Sequence, residues 1–301
     1  MITITNDTTT LNGALAELGE TMAENLVTMG VTDASASDGL TTLAGKILLV
    51  PQGSVTKTLT LTSDKSILSF YDSESAVLSA TYTENGSPVE NVTVEFFKGS
   101  TSLGTASTNS NGVATKSYSS AGVGDVSFTA SVGSLVSETY VVEDCLFYGI
   151  NTSAFIIPSN TTFTSDGTKI TATTNTSGEK LVYFDHTFSN NDNWIFETEV
   201  AQIGTDQSIA VVWNDNSFWG GQTRNEIRQV YSTMEGEQSL WETVEVGKKF
   251  IITRENGVTT VSFNDKTVQS KTISHKSSFK VGYFINKNRV QYYKNIKIKA
   301  L

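Results

Sequence analysis

Val92-Thr93-Val94-Glu95-Phe96, then Leu103-Gly104-Thr105, then Thr108-Asn109-Ser110-Asn111-Gly112-Val113-Ala114: these residues decide the fold class. Apolar and polar residues alternate with a period of two, which sends successive side chains to opposite faces of a strand. Asn and Gly interrupt the alternation where a turn needs a left-handed backbone. The same pattern extends outward. Upstream, Leu78, Ala80 and Tyr82 alternate with Val77, Ser79 and Thr81, Glu84-Asn85-Gly86-Ser87 forms a turn, and Pro88 suits the start of an edge strand. Lys98-Gly99-Ser100 is a further turn; Val126, Phe128, Ala130 and Val132, then residues 136–142, follow. With a first strand at 56–61, residues 54–144 are expected to form a sandwich of about seven strands.

The chain has 301 residues, enough for two or three domains with their own cores. It is 38% hydrophobic and only 17% charged, too little charge for a coiled-coil rod or a charged disordered chain. Its net charge of −10 argues against nucleic-acid binding, which needs clustered Lys and Arg against phosphates. Basic residues gather near the end (Lys287, Arg289, Lys294, Lys297, Lys299) but alternate along strands, as on a solvated sheet face. A single cysteine, Cys145, excludes an intrachain disulfide framework and reads as a buried thiol. No stretch approaches the roughly 20 apolar residues that span a bilayer, so no membrane insertion is expected. Residues 1–7 have neither a basic nor an apolar signal region, so synthesis in a cytoplasm without a signal peptide is expected.

Several positions in 54–144 agree in order with one family. Gly86-Ser87-Pro88-Val89, residues 92–96, Leu103-Gly104-Thr105, Asn111-Gly112-Val113-Ala114, Tyr118, Gly124, Phe128-Thr129-Ala130-Ser131 and residues 141–144 resemble the bacterial immunoglobulin-like repeats of invasin and intimin type. The resemblance implies an immunoglobulin-like β-sandwich acting as a rigid spacer without enzymatic activity. Only one copy is present, which suits a short virion protein better than a long cell-surface adhesin.

Residues 1–53 carry a different period. Leu11, Leu15, Leu18, Met22, Leu26 and Met29 recur at intervals of three and four, one stripe on a helix of about five turns. Any of Thr8, Thr9 and Thr10 can cap it and Gly30 can end it. Asp38 is placed to cap a second helix with Leu40, Leu43 and Ile47 on one face. Two such helices cannot build a core alone, so their apolar faces must meet each other, a copy or a larger assembly. A homotrimerisation or docking element is expected. The run Asp38-Gly39-Leu40-Thr41-Thr42-Leu43-Ala44-Gly45-Lys46-Ile47 resembles segments near the N-termini of phage tail and baseplate proteins.

Residues 145–301 are aromatic-rich and again strand-like. Ile170, Ala172 and residues 180–186 begin the pattern; 194–200 and 209–213 alternate. Residues 250–254 and 258–263 flank a hairpin turn at Glu255-Asn256-Gly257. Residues 279–285 and 292–298 are read as the final strand pair. The strand order and the ending Tyr292-Tyr293-Lys294-Asn295-Ile296-Lys297-Ile298 resemble the concanavalin A-like lectin and glucanase jelly rolls, which implies a larger jelly-roll sandwich.

That family includes glycosidases, whose two carboxylates stand about 5 to 9 Å apart across the scissile bond. The nearest match is Glu197-Thr198-Glu199, on one strand face, but Val200, Ala201 and Gln202 follow where the family's acidic run continues. Glu197 and Glu199 read as solvent-facing strand residues, and no catalytic residue is assigned. Sugar recognition has a better stretch: Trp213, Asn214, Asp215, Asn216, Phe218, Trp219 and Arg224, where aromatic faces can stack on sugar rings and polar ends can read hydroxyls. Trp213 is also a natural core residue at a strand end. Asn214–Asn216 and Asn190-Asn191-Asp192-Asn193 offer oxygen ligands for calcium but read first as turns. His186 and His275 lack partners at zinc spacing, so neither metal nor cofactor is expected.

The sequence therefore leads to an expected mainly β protein: a short helical segment (1–53), an immunoglobulin-like sandwich (54–144) and a larger jelly roll (145–301). The expected function is a structural virion protein of tail, baseplate or fibre. It would assemble with itself and other virion proteins through 1–53 and present a glycan-recognising domain to a host surface. A capsid-attached fibre or decoration protein, a cell-surface carbohydrate-binding adhesin and, third, a glycan-degrading enzyme are the alternatives.

Overall fold

The computed structural model describes residues 8–29, 31, 35, 37–38, 42–43, 55–213, 218–224, 229–232, 238–241, 245–272 and 278–301. The protein is mainly β, and its chain divides into two units, Met1–Thr56 and Lys57–Leu301.

In the first unit the apolar stripe forms helix α1 (Thr8–Thr28), closed by a bond from the Val31 amide to the Leu26 carbonyl. The stripe divides along its length. Leu26 is buried with Ala23, Val31 and Leu43, and Met22 packs against them. Leu15, Leu18 and Met29 remain 41%, 50% and 48% exposed. Leu11 lies in the helix, whereas Leu40, Ile47 and Gly30 fall outside the described residues. No helix among the described residues is long and apolar enough to cross a membrane.

The second unit contains two stacked-sheet sandwiches. The smaller has strands β1 (Lys57–Ser63), β2 (Ile67–Ser69), β3 (Ser75–Glu84), β4 (Ser87–Pro88), β5 (Thr93–Lys98), β6 (Thr101–Ser107), β7 (Val113–Ser119), β8 (Gly124–Val132), β9 (Leu135–Val136) and β10 (Tyr140–Cys145). One sheet joins β1, β4 and β7 to β3; the other runs β2-β10-β8-β5-β6 with β9 on β8. About seven strands were expected from the pattern; the additional ones are the two- and three-residue β2, β4 and β9, too short to show a period. Alternation works as the sequence dictates: Ala76, Leu78, Ala80 and Tyr82 face Val94, Phe96, Val126, Phe128 and Ala130 in one core. Each fully buried large side chain contributes roughly 1.5–3 kcal/mol. Asn85 and Gly86 take φ of 50° and 79°, the left-handed pair that a two-residue hairpin demands.

The larger sandwich has β11 (Phe147–Gly149), β12 (Phe155–Ile156), β13 (Thr161–Ser165), β14 (Ile170–Thr174), β15 (Lys180–Phe184), β16 (Phe188–Ser189), β17 (Trp194–Val200) and β18 (Asp206–Trp213). Then come β19 (Phe218–Arg224), β20 (Gln229–Ser232), β21 (Gln238–Trp241), β22 (Lys249–Glu255), β23 (Val258–Phe263), β24 (Lys266–Thr272), β25 (Ser278–Ile285) and β26 (Val290–Ala300). Among the described residues one sheet runs β13-β14-β26-β17-β22-β23-β24 with β11 on β26. The other runs β12-β15-β25-β18-β19-β20-β21 with β16 on β25. This is the sandwich-like jelly roll.

Its last two strands are not a pair, contrary to the sequence expectation. β25 lies between β15 and β18 in one sheet, and β26 between β14 and β17 in the other. They face each other across the core, where Tyr283 and Tyr293 stack at 4.1 Å between ring centroids. Both strands are rich in buried apolar residues because each is interior to its sheet. The domain also begins earlier than Ile170, with β11 to β13.

Candidate functional site

The predicted sugar-binding stretch maps to the β18–β19 hairpin. In backbone register Val212 opposes Phe218, Val211 opposes Trp219 and Asp206 opposes Arg224, while Trp213 pairs with Phe279 of β25. Asn214, Asp215 and Asn216 lie outside the described residues. The hairpin continues through β20 and β21 as a flank of the β25 sheet.

The two glutamates considered for catalysis are covered, not solvent-facing. Their side chains are 11% and 13% exposed. Glu197 Oε1 accepts from Lys249 Nζ at 2.7 Å, and its Oε2 is 3.9 Å from Lys297 Nζ. Glu199 accepts from Lys294 Nζ and Asn295 Nδ2, both at 2.8 Å. Burial works to raise the Glu199 pKa, but these bonds outweigh it and hold the carboxyl below its ordinary value. A general acid requires the opposite shift. The alternating lysines of β26 correct the second reading of a solvated face. Lys297 and Lys299 are only 17% and 11% exposed, because they pair with Glu143 at 3.2 Å and Asp125 at 2.9 Å on the smaller sandwich.

The Asn190–Asn193 cluster is occupied by the protein's own groups. Arg254 is fully buried and donates to the Asn190 carbonyl at 3.0 Å and to Asn190 Oδ1. Its guanidinium also lies over the Phe279 ring at 4.3 Å. Asp192 Oδ2 accepts from the Ser189 amide and Asn193 Oδ1 from the Asn256 amide. His186 is exposed beside the Phe188 ring; His275 lies outside the described residues. Among the described residues no three His, Cys, Asp or Glu are grouped to hold a metal ion.

Sequence reasoning did not find the junction of the two sandwiches. β10 passes into β11 through Leu146 alone. The turn after β2 is sewn to this crossing: the Phe70 and Tyr71 amides donate to the Cys145 and Leu146 carbonyls at 2.9 and 3.0 Å. Tyr71 reaches into the larger sandwich, with its ring 6.2 Å from Phe147 and 6.1 Å from Phe184 and its hydroxyl donating to the Ser153 carbonyl at 2.7 Å. Asn151 Nδ2 returns a bond to Asp72 Oδ1 at 2.7 Å. The turn itself is fixed by Ser69 Oγ donating to Asp72 Oδ2 and by Glu74, which accepts from the Ser69 amide and Lys65. Gly124 completes the contact, since a Cβ there would stand 2.6 Å from the Ala300 carbonyl oxygen.

Beneath the junction Asp144 is fully buried and accepts four bonds: Tyr118 Oη at 2.6 Å, Ser120 Oγ, and the Ala121 and Gly122 amides at 3.0 and 3.1 Å. Burial alone would raise its pKa; the bonds from Ser120, Tyr118 and the two amides prevail and lower it.

No protein-family model matches the chain, and no curated protein matches it. Solved structures to which it is similar include a carbohydrate-binding module, a carbohydrate recognition domain, alginate lyases and a transglycosylase. A carbohydrate-binding module from Bacillus subtilis aligns at 10% identity over 48% of this chain and 95% of its own, with a TM-score of 0.37. The Emp46p carbohydrate recognition domain aligns at 9% over 49% and 88%, with a TM-score of 0.36. The Crh5 transglycosylase in complex with NAG aligns at 12% over 49% and 79%, with a TM-score of 0.38. Scores and identities this low transfer neither a ligand nor a reaction to this chain.

Proposed function

We propose that this chain is an attachment protein of a phage or prokaryotic-virus particle, in a tail, baseplate or fibre. The helical segment docks or trimerises, the smaller sandwich acts as an immunoglobulin-like spacer, and the larger one presents a glycan-recognising surface to the host. The observation that carries this reading is the junction. A one-residue crossing, a pinned turn, an aromatic plug and two ion pairs join the sandwiches, as a part that transmits position requires. The exposed Leu15 and Leu18 on α1 support assembly through the first unit. Lysine-paired glutamates on the β17 face favour presentation over glycan cleavage.

Size-exclusion chromatography with light scattering tests the assembly. The full chain is expected to run as a trimer and the chain lacking residues 1–53 as a monomer. A full-length chain that is already monomeric removes the assembly role and the reading with it.

A further inference from the structure

Beside the pinned turn, a cleft of about 540 Å³ opens between the two sandwiches. This volume falls within the roughly 300–1,000 Å³ of small-molecule sites. It is lined by Phe70 and Tyr71 from the smaller sandwich and by Phe184, Asp185 and His186 from the larger.

Three features of the cleft bear on what it could hold. Phe70 is 51% exposed although its backbone is held rigidly against the β10–β11 crossing. Ser73, which closes the turn presenting it, has φ of 54°, a left-handed backbone that costs a non-glycine residue on the order of 1 kcal/mol. The side chains of Asp185 and His186 make no hydrogen bond or ion pair among the described residues, although both stand at the cleft wall. By contrast the Glu74 carboxylate is already taken by Lys65 and the Ser69 amide. The cleft thus offers one exposed aromatic side chain, one open carboxylate and one imidazole whose ring rests against Phe188.

Resting on the glycan reading above, we infer that this cleft is a saccharide site, separate from the β18–β19 hairpin, that takes a short neutral oligosaccharide segment. The apolar C–H face of a sugar ring packs on Phe70, as aromatic rings in sugar sites do. Its hydroxyls donate to Asp185 and exchange hydrogen bonds with His186. Uronic-acid and sulfated sugars are disfavoured, since Asp185 places a negative charge on the wall without an ion-pair partner among the described residues and the chain carries a net charge of −10. The turn that carries Tyr71 and Asp72 into the junction also holds the Phe70 backbone in place before any ligand arrives, which reduces the ordering cost of binding.

The full chain is probed on an array of immobilised neutral gluco-, galacto- and manno-oligosaccharides together with oligogalacturonides, and the strongest binder is titrated calorimetrically. A neutral oligosaccharide is expected to bind. Phe70→Ala and Asp185→Asn should each weaken it about tenfold or more. Asp185 is exposed and Phe70 is half exposed, and thermal unfolding of each variant is recorded beside the titration so that lost binding is separated from misfolding. Neutral-sugar binding that survives both cleft substitutions but falls with Trp219→Ala overturns the cleft site and leaves the glycan reading standing. Preference for oligogalacturonides overturns the assigned sugar class. No binding to any glycan overturns the cleft site and the glycan reading together.

Discussion

Replacing Asp144 with asparagine is expected to lower the unfolding temperature by about 10 °C or more, from a loss of roughly 3–5 kcal/mol. Each carboxylate oxygen of Asp144 accepts one hydroxyl and one backbone amide. An asparagine keeps one acceptor and turns an NH2 group towards donors that need an acceptor. Tyr118 and Gly122 are buried and each bonds a different carboxylate oxygen, so whichever oxygen is replaced, one buried donor is orphaned and cannot recover the bond from water. The same carboxylate gives a pH signature. Its folded pKa is lowered from 3.8, so its contribution is complete above the unfolded value and drains away as pH falls below it through the folded pKa. Wild-type stability should therefore fall in that acid window, and the Asp144→Asn variant should lack this component. Matching acid limbs for the two proteins, followed by calorimetry, would remove Asp144 as the keystone of the smaller sandwich.

Gly282→Ala should be comparably damaging for a purely steric reason. Gly282 sits in the centre of β25, opposite Tyr183 of β15 and Ala210 of β18. A Cβ built there lies 2.0 Å from the Val182 carbonyl oxygen and 2.5 Å from the Tyr183 Cα. Both are backbone atoms, so no rotamer change clears the space; β15 itself must move. A cost of about 3 kcal/mol is expected, at the upper end for overpacking. Because β25 links β15 to the β18–β21 hairpins, near-UV circular dichroism should weaken along with the melting temperature. A variant as stable as the wild type would mean that the β15–β25 spacing gives freely.

The sequence made visible whatever repeats locally. The alternation in β3, β5 and β8, the Asn-Gly turns at 85–86 and 256–257 and the α1 stripe all follow from period and turn chemistry. Partnering across the sheets was hidden. β25 and β26 follow each other in the chain, and nothing in their composition says that they belong to opposite sheets. The β26 lysines illustrate a second limit. Alternation correctly separates Lys297 and Lys299 from the core, but a strand face turned outward is solvated only if no other body covers it. The cleft was illegible for the same reason, because Phe70 and Asp185 lie 115 positions apart and meet only through the β10–β11 crossing. What marked its rim in sequence was a Phe70-Tyr71 pair in an otherwise polar turn, a weak signal without a fold to place it.

Cys145 is the single cysteine of the chain, fully buried at the last residue of β10, with burial as the main cause that pushes its thiol pKa up to about 12. A thiol so placed meets a labelling reagent only when the crossing beside it parts. The natural sequence therefore contains its own clock for that event. The rate at which an aromatic disulfide modifies the native protein counts how often the two halves loosen, without any engineered probe.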